Sequence, residues 1–116
     1  MRMAKKKRGL CLPPWASAAP GGDERRFIQL GVSLLDHPKF IALKPGDQIL
    51  YIRMKQHADP RPEFEMPRQV YAKFTDSKAF ANSLEHLVSA GFVEVVANNY
   101  CIRKPNVYRF STRWKE

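Results

Sequence analysis

The stretch Thr75-Asp76-Ser77-Lys78-Ala79-Phe80-Ala81-Asn82-Ser83-Leu84-Glu85-His86-Leu87-Val88-Ser89-Ala90-Gly91-Phe92-Val93-Glu94-Val95-Val96 decides the fold. Thr75, Asp76 and Ser77 offer short side-chain oxygens, which accept from the otherwise unpaired N–H groups of a first helical turn. Phe80, Leu84, Leu87 and Val88 then recur every three or four positions and share one face of a helix. Gly91 stops that helix, because the position past a last turn favours left-handed backbone. Phe92 to Val96 is rich in β-branched residues and too short for a helix, so it reads as a strand.

Working outward, Asn106-Val107-Tyr108-Arg109-Phe110 is a second strand, and residues 97–105, with Asn98-Asn99 and Arg103-Lys104-Pro105, form the exposed tip of a long hairpin. Upstream, Val70, Tyr71 and Phe74 predict about two helical turns over residues 68–74. Before them, Pro60 and Pro62 terminate whatever precedes and leave a loop that holds Glu63 and Glu65. Pro45 or Asp47 opens a helix running to residue 57, with Ile49, Ile52 and the Met54 stem on a common face. A strand over residues 48–54 is the less favoured alternative, since periodicity does not decide so short a run. The folded part begins near Phe27, and Pro38 limits any helix there to a short one.

At 116 residues, 44% hydrophobic and 27% charged, the chain holds one globular domain with its tails. Twenty Lys and Arg face eleven Asp and Glu, a net +9, which points to a polyanionic partner. The bases gather at the ends: seven with two acids over residues 1–26, eight with seven over 27–91, and five with two over 92–116. Residues 1–25 combine Lys5-Lys6-Lys7-Arg8 with Pro13-Pro14 and Pro20-Gly21-Gly22, a composition that buries too little apolar surface to offset ordering entropy. A flexible basic arm, either a solubilising tail or a phosphate-seeking one, is the expectation, followed by a domain over 26–116. Cys11 and Cys101 stand far apart without a Cys/His cluster, which suggests neither zinc nor a disulfide framework and fits a reducing, cytoplasmic setting. No apolar run reaches the roughly 18 to 20 residues that span a bilayer.

The order of helix (45–57), short helix (68–74), capped turn, helix (77–90) and basic hairpin (92–111) resembles the winged helix-turn-helix domain over about 80 of the 116 residues. Its most specific part is Phe80, Leu84, Leu87, Gly91-Phe92-Val93-Glu94-Val95, then Pro105-Asn106-Val107-Tyr108-Arg109-Phe110-Ser111 and Trp114. That pattern is similar to winged-helix proteins of bacterial plasmids, phages and other mobile elements, replication initiators and replisome organisers among them. The resemblance implies an α+β fold, a three-helix core with a two- or three-stranded antiparallel wing. It also implies double-stranded DNA as partner, in transcription control or replication initiation, with a homodimer or other replication and transcription proteins as compatible associates.

The helix that buries Phe80, Leu84, Leu87 and Val88 turns the opposite face outward, small and polar near its start, with Lys78, Ala79, Asn82, Ser83, Glu85 and His86. Asn pairs bidentately with adenine, Ser bonds several base edges and Lys reaches guanine or phosphate. Because helix-turn-helix proteins set the start of their second helix against bases, Lys78, Asn82, Ser83 and His86 are the expected base readers. Arg68 and Lys73 beside the short helix, and Arg103, Lys104 and Arg109 in the wing, are the expected phosphate contacts. Trp114, Tyr108 and Phe110 are assigned to the core. A protein-docking module without DNA specificity is the rival reading, since fold alone does not fix function.

No enzyme constellation assembles. Asp59, Glu63 and Glu65 are the densest acids but sit in a proline-rich stretch that reads as a solvated loop. His37, His57 and His86 are dispersed, with no nucleophile paired to them in sequence. Neither a glycine-rich phosphate loop, an HExxH motif nor a dinucleotide fingerprint occurs, so no cofactor and no metal is expected.

Overall fold

Ser77–Ala90 forms a helix whose two ends are set by the residues that flank it. Asp76 caps the start, its carboxylate accepting from the Ala79 N–H at 2.7 Å. At the other end Gly91 adopts φ +90°, Phe92 N–H donates to Leu87 O and Gly91 N–H to Val88 O. This paired closure stacks Phe92 on Leu87, both completely buried. The computed structural model describes residues 10–116 apart from 25, 60, 100, 101 and 103.

Along the chain, Leu10–Cys11 (β1) pairs with Asp23–Glu24 (β2) in a two-stranded ladder. There follow Val32–Leu35 (α1), Pro38–Ile41 (α2), Pro45–Ala58 (α3), Glu63–Glu65 (β3), Arg68–Tyr71 (α4), Ser77–Ala90 (α5), Val93–Ala97 (β4) and Val107–Phe110 (β5). A 3-10 turn, Arg113–Lys115, closes the chain. The architecture is α+β, five helices with a three-stranded antiparallel sheet in the order β3-β5-β4.

Three local expectations change. Glu63 to Glu65, read as loop, is a strand. Pro62 and Pro67 flank it, the Pro62 carbonyl accepting the Phe110 N–H at 3.2 Å, and its ladder is made with the distant β5, through Glu63↔Arg109, Phe64↔Tyr108 and Glu65↔Val107. Residues 10–24, assigned to the arm, carry the β1–β2 ladder, with Gly21 at φ +69° in the intervening turn and Ser17 Oγ donating to the Glu24 carboxylate. On α3 the buried stripe is Asp47, Leu50, Tyr51, Met54 and Ala58, while Ile49 is half exposed. The 47-50-54-58 rhythm is the helical one, and Ile49 and Ile52 fall to its two flanks.

Pro38 starts α2, where its fixed φ suits the first helical position; His37 Nδ1 accepts from the Lys39 N–H. The core gathers around Phe92. Its ring meets Phe40 and Tyr51 edge-on at 5.6 Å and stacks on Trp114 at 5.4 Å, while Met54, Leu87 and Val93 close the space. Each such side chain contributes about 1.5–3 kcal/mol of burial. Tyr108 and Trp114 are buried, and Phe110 packs against the same cluster. On the sheet, Phe64, Tyr108, Phe110 and Val93 share the inward face; one residue out of phase, Glu63, Arg109 and Glu94 share the outward one.

Candidate nucleic-acid interface

The roll of α5 is set by what it buries. Phe80 and Leu87 are its most buried residues, flanked by Leu84 and Val88. The opposite side therefore carries Lys78, Ala81, Asn82, Glu85 and Ser89, all exposed. Lys78 and Asn82, one turn apart, lie in the first half of the helix on this stripe. Glu85 sits between them and Ser89 and limits what the stripe accepts to groups that tolerate a carboxylate.

Ser83 and His86 do not share that face. Ser83 follows Phe80 by three positions and precedes Leu87 by four, so it lies on the edge of the buried stripe. It faces the start of α3: a methyl group added at Gly46 would sit 3.8 Å from Ser83 Oγ. His86 turns the same way and bonds through Nδ1 to Asp47 Oδ2 at 2.9 Å. Asp47 is only 3% exposed, and the same Oδ2 accepts the Lys44 N–H at 3.2 Å. The two residues, expected as base readers, lie on the α3 side of α5 and off the stripe that carries Lys78 and Asn82, His86 being bonded to α3. The omitted residue is Asp47, placed at a helix start by sequence but without a hint of its long-range partner. A helical wheel centred on Phe80 and Leu87 would have separated Ser83 from Asn82.

The segment leading into α5 is held by aromatic stacking. Tyr71 at the end of α4 lies parallel on Phe80, centroids 4.1 Å apart, and its hydroxyl is 3.1 Å from Ser77 Oγ. Arg53 of α3 sits over the Phe74 ring at 5.3 Å and secures the turn from the other side. With α4 and the turn so fixed, Arg68, Gln69 and Lys73 are left exposed. Among the described residues, Arg68, Lys73, Lys78 and Lys104 form no ion pair and no side-chain hydrogen bond. These four cations keep their full charge for an outside anion.

The wing is different. Arg109 occupies the central strand, directly opposite Glu63 on one side and Glu94 on the other. Register alone brings the three side chains together, with Nη2 at 2.7 Å from Glu94 and Nη1 at 3.3 Å from Glu63. The Arg109 guanidinium, with help from Ser111, holds the Glu94 carboxyl below the ordinary range, and Glu94 in turn holds Arg109 more firmly protonated. Arg109, expected as a phosphate contact, is thus already paired with two carboxylates, and together with Glu65 they give this side of the sheet an acidic character. Lys104 stands exposed near the tip, whose base is tied by Asn99: its N–H donates to Asn106 Oδ1 and its Nδ2 to Pro105 O. Arg103 lies outside the described residues, as do Lys5 to Arg8.

Among the described residues, no three His, Cys, Asp or Glu side chains are arranged to hold a metal ion. None of the helices among them is long and apolar enough to cross a membrane. Compared with known proteins, the chain matches no family model, no curated protein and no solved structure.

Proposed function

We propose that residues 26–116 are a winged helix-turn-helix domain that binds double-stranded DNA, α5 lying in the major groove and the β4–β5 hairpin beside it. The observation that carries this is the exposed polar stripe of α5, with Lys78 and Asn82 at its leading end, next to the unpaired Arg68 and Lys73. The element order α3-β3-α4-α5-β4-β5 and the strand order β3-β5-β4 support it. In this arrangement Arg68, Lys73 and Lys104 bind phosphates and fix the register, while Asn82 and Lys78 address base edges. Three neutralised phosphates give a plot of log affinity against log salt a slope of about −3. The biological setting that fits is transcription control or replication initiation of a mobile element, in the cytoplasm.

The exposed Val95, Val96 and Ile102 on the hairpin favour a second reading, a surface for another protein. Selection of bound duplexes from a random pool separates the two. A coherent motif, with salt-sensitive binding, supports DNA recognition. Absence of duplex binding at low salt refutes it and leaves the protein-docking reading.

A further inference from the structure

The Asp47–His86 pair has no place in the contacts assigned to DNA, yet it ties the half-exposed His86 of α5 to a buried carboxylate of α3. Asp47 is an acid in a core otherwise made of Phe40, Leu50, Tyr51, Met54 and Leu87. Both of its bonds converge on one oxygen, Oδ2, from the Lys44 N–H and from His86 Nδ1. A carboxylate oxygen only accepts, so Nδ1 carries the ring proton.

Apolar burial pulls α5 onto α3 but is non-directional, and the contacts of Phe80, Leu84 and Leu87 tolerate small rotations of the helix. A hydrogen bond is directional and weakens steeply off its axis. The Asp47–His86 bond therefore selects one roll of α5. Side-chain tips lie about 5–6 Å from a helix axis, so a roll of about 20° moves them by about 2 Å. Such a displacement separates a bidentate amide from a base edge but leaves long, flexible cations within reach of phosphates.

Resting on the DNA-binding reading, we infer that His86 and Asp47 are positioning residues for base recognition: the pair sets the angle at which Lys78 and Asn82 meet the bases. Such a pair contributes little net stability, because the cost of drying Asp47 offsets its attraction to the half-exposed His86, while it can specify a single packing. The chemistry also states which substitution preserves the device. In Asp47→Asn the amide oxygen takes the place of Oδ2 and accepts from both donors; in Asp47→Ala nothing does.

The test uses the full chain with two duplexes, one recovered by selection from a random pool and one of scrambled sequence, at a single salt concentration. His86→Ala and Asp47→Ala lower affinity for the selected duplex about tenfold and for the scrambled one less than twofold, and Asp47→Asn restores the preference. Nitrogen-15 NMR of the free protein finds His86 protonated on Nδ1. Equal losses on both duplexes, or an Asp47→Asn variant as unselective as Asp47→Ala, overturn the positioning role while the DNA reading stands. A free protein whose His86 is protonated on Nε2 alone overturns it without reference to DNA. A wild-type chain that binds neither duplex overturns both. Thermal unfolding of each variant shows whether a loss on both duplexes is simply a loss of folded protein.

Discussion

Substituting Gly91 by Ala strikes the junction where α5 hands over to the wing. Gly91 sits at φ +90°, and an added Cβ would lie 2.8 Å from the Trp114 backbone nitrogen and 3.0 Å from Arg113 Cβ. Left-handed backbone costs an alanine about 1 kcal/mol. The contact with Trp114 involves backbone, so relief requires the 3-10 turn at Arg113–Lys115 to move outward by several tenths of an ångström. That movement breaks the Trp114 N–H bond to Gly91 O, already 3.3 Å long, for about 0.5–1.5 kcal/mol. It also slides the indole off Phe92 and off His37, whose ring meets it edge-on at 5.0 Å, for about as much again. The sum is about 2–4 kcal/mol, or roughly 10 °C in melting temperature for a domain of this size. Urea denaturation followed by fluorescence in a Trp15→Phe background reads it, since Trp15 is 87% exposed and Trp114 then reports alone. Trp114 emission shifts to the red in the Gly91→Ala protein. The same substitution at Gly46, where the nearest atom is at ordinary contact distance and the backbone is helical, stabilises by about 0.5–1 kcal/mol. A Gly91→Ala protein within 0.5 kcal/mol of the parent, with unchanged Trp114 emission, refutes the described packing of the C-terminal turn.

Arg68→Ala and Lys73→Ala each make the salt slope of duplex binding shallower by about one unit; Arg109→Ala leaves it unchanged, because its charge is already met by Glu63 and Glu94, and titrations of affinity against salt check all three. Burial pushes the Tyr51 hydroxyl up to about 12, and no hydrogen bond satisfies it among the described residues. The unfolded chain releases that proton near pH 10 and the folded chain does not, so the contribution of Tyr51 to stability is constant below pH 10 and falls as pH rises from 10 towards 12. Tyr51→Phe removes this share of the alkaline fall, of the order of 2 kcal/mol, while Tyr108, also raised by burial, keeps its own; alkaline urea melts of the two proteins measure the difference.

Elements governed by local chemistry were legible in the sequence. The Asp76 cap, the Phe80–Leu84–Leu87 stripe and Gly91 act within a turn or two of each other, and α5 runs from Ser77 to Ala90 as they dictate. Helix α3 and the two hairpin strands followed from the same kind of signal. Elements made by distant partners were not. β3 is three residues long and has no ladder without β5; Asp47 finds His86 39 positions away. The triad of Glu63, Arg109 and Glu94 depends on strand register, which composition does not encode. For the candidate interface, Lys78, Asn82, Arg68, Lys73 and Lys104 stand exposed where the sequence reading had them. Ser83 and His86 are half-buried on the flank of α5 that faces α3, a placement set by the partner helix that polar character alone does not reveal.

The central claim is that the Lys78–Asn82 stripe of α5, and no other face of that helix, meets the bases. Parallel selections from one random duplex pool with the parent chain, Asn82→Ala and Ser83→Ala test it most directly. Asn82→Ala loses base preference at one or two adjacent positions and keeps the rest of the motif, while Ser83→Ala recovers the parental motif entire. A motif indifferent to Asn82 but altered by Ser83 contradicts the account.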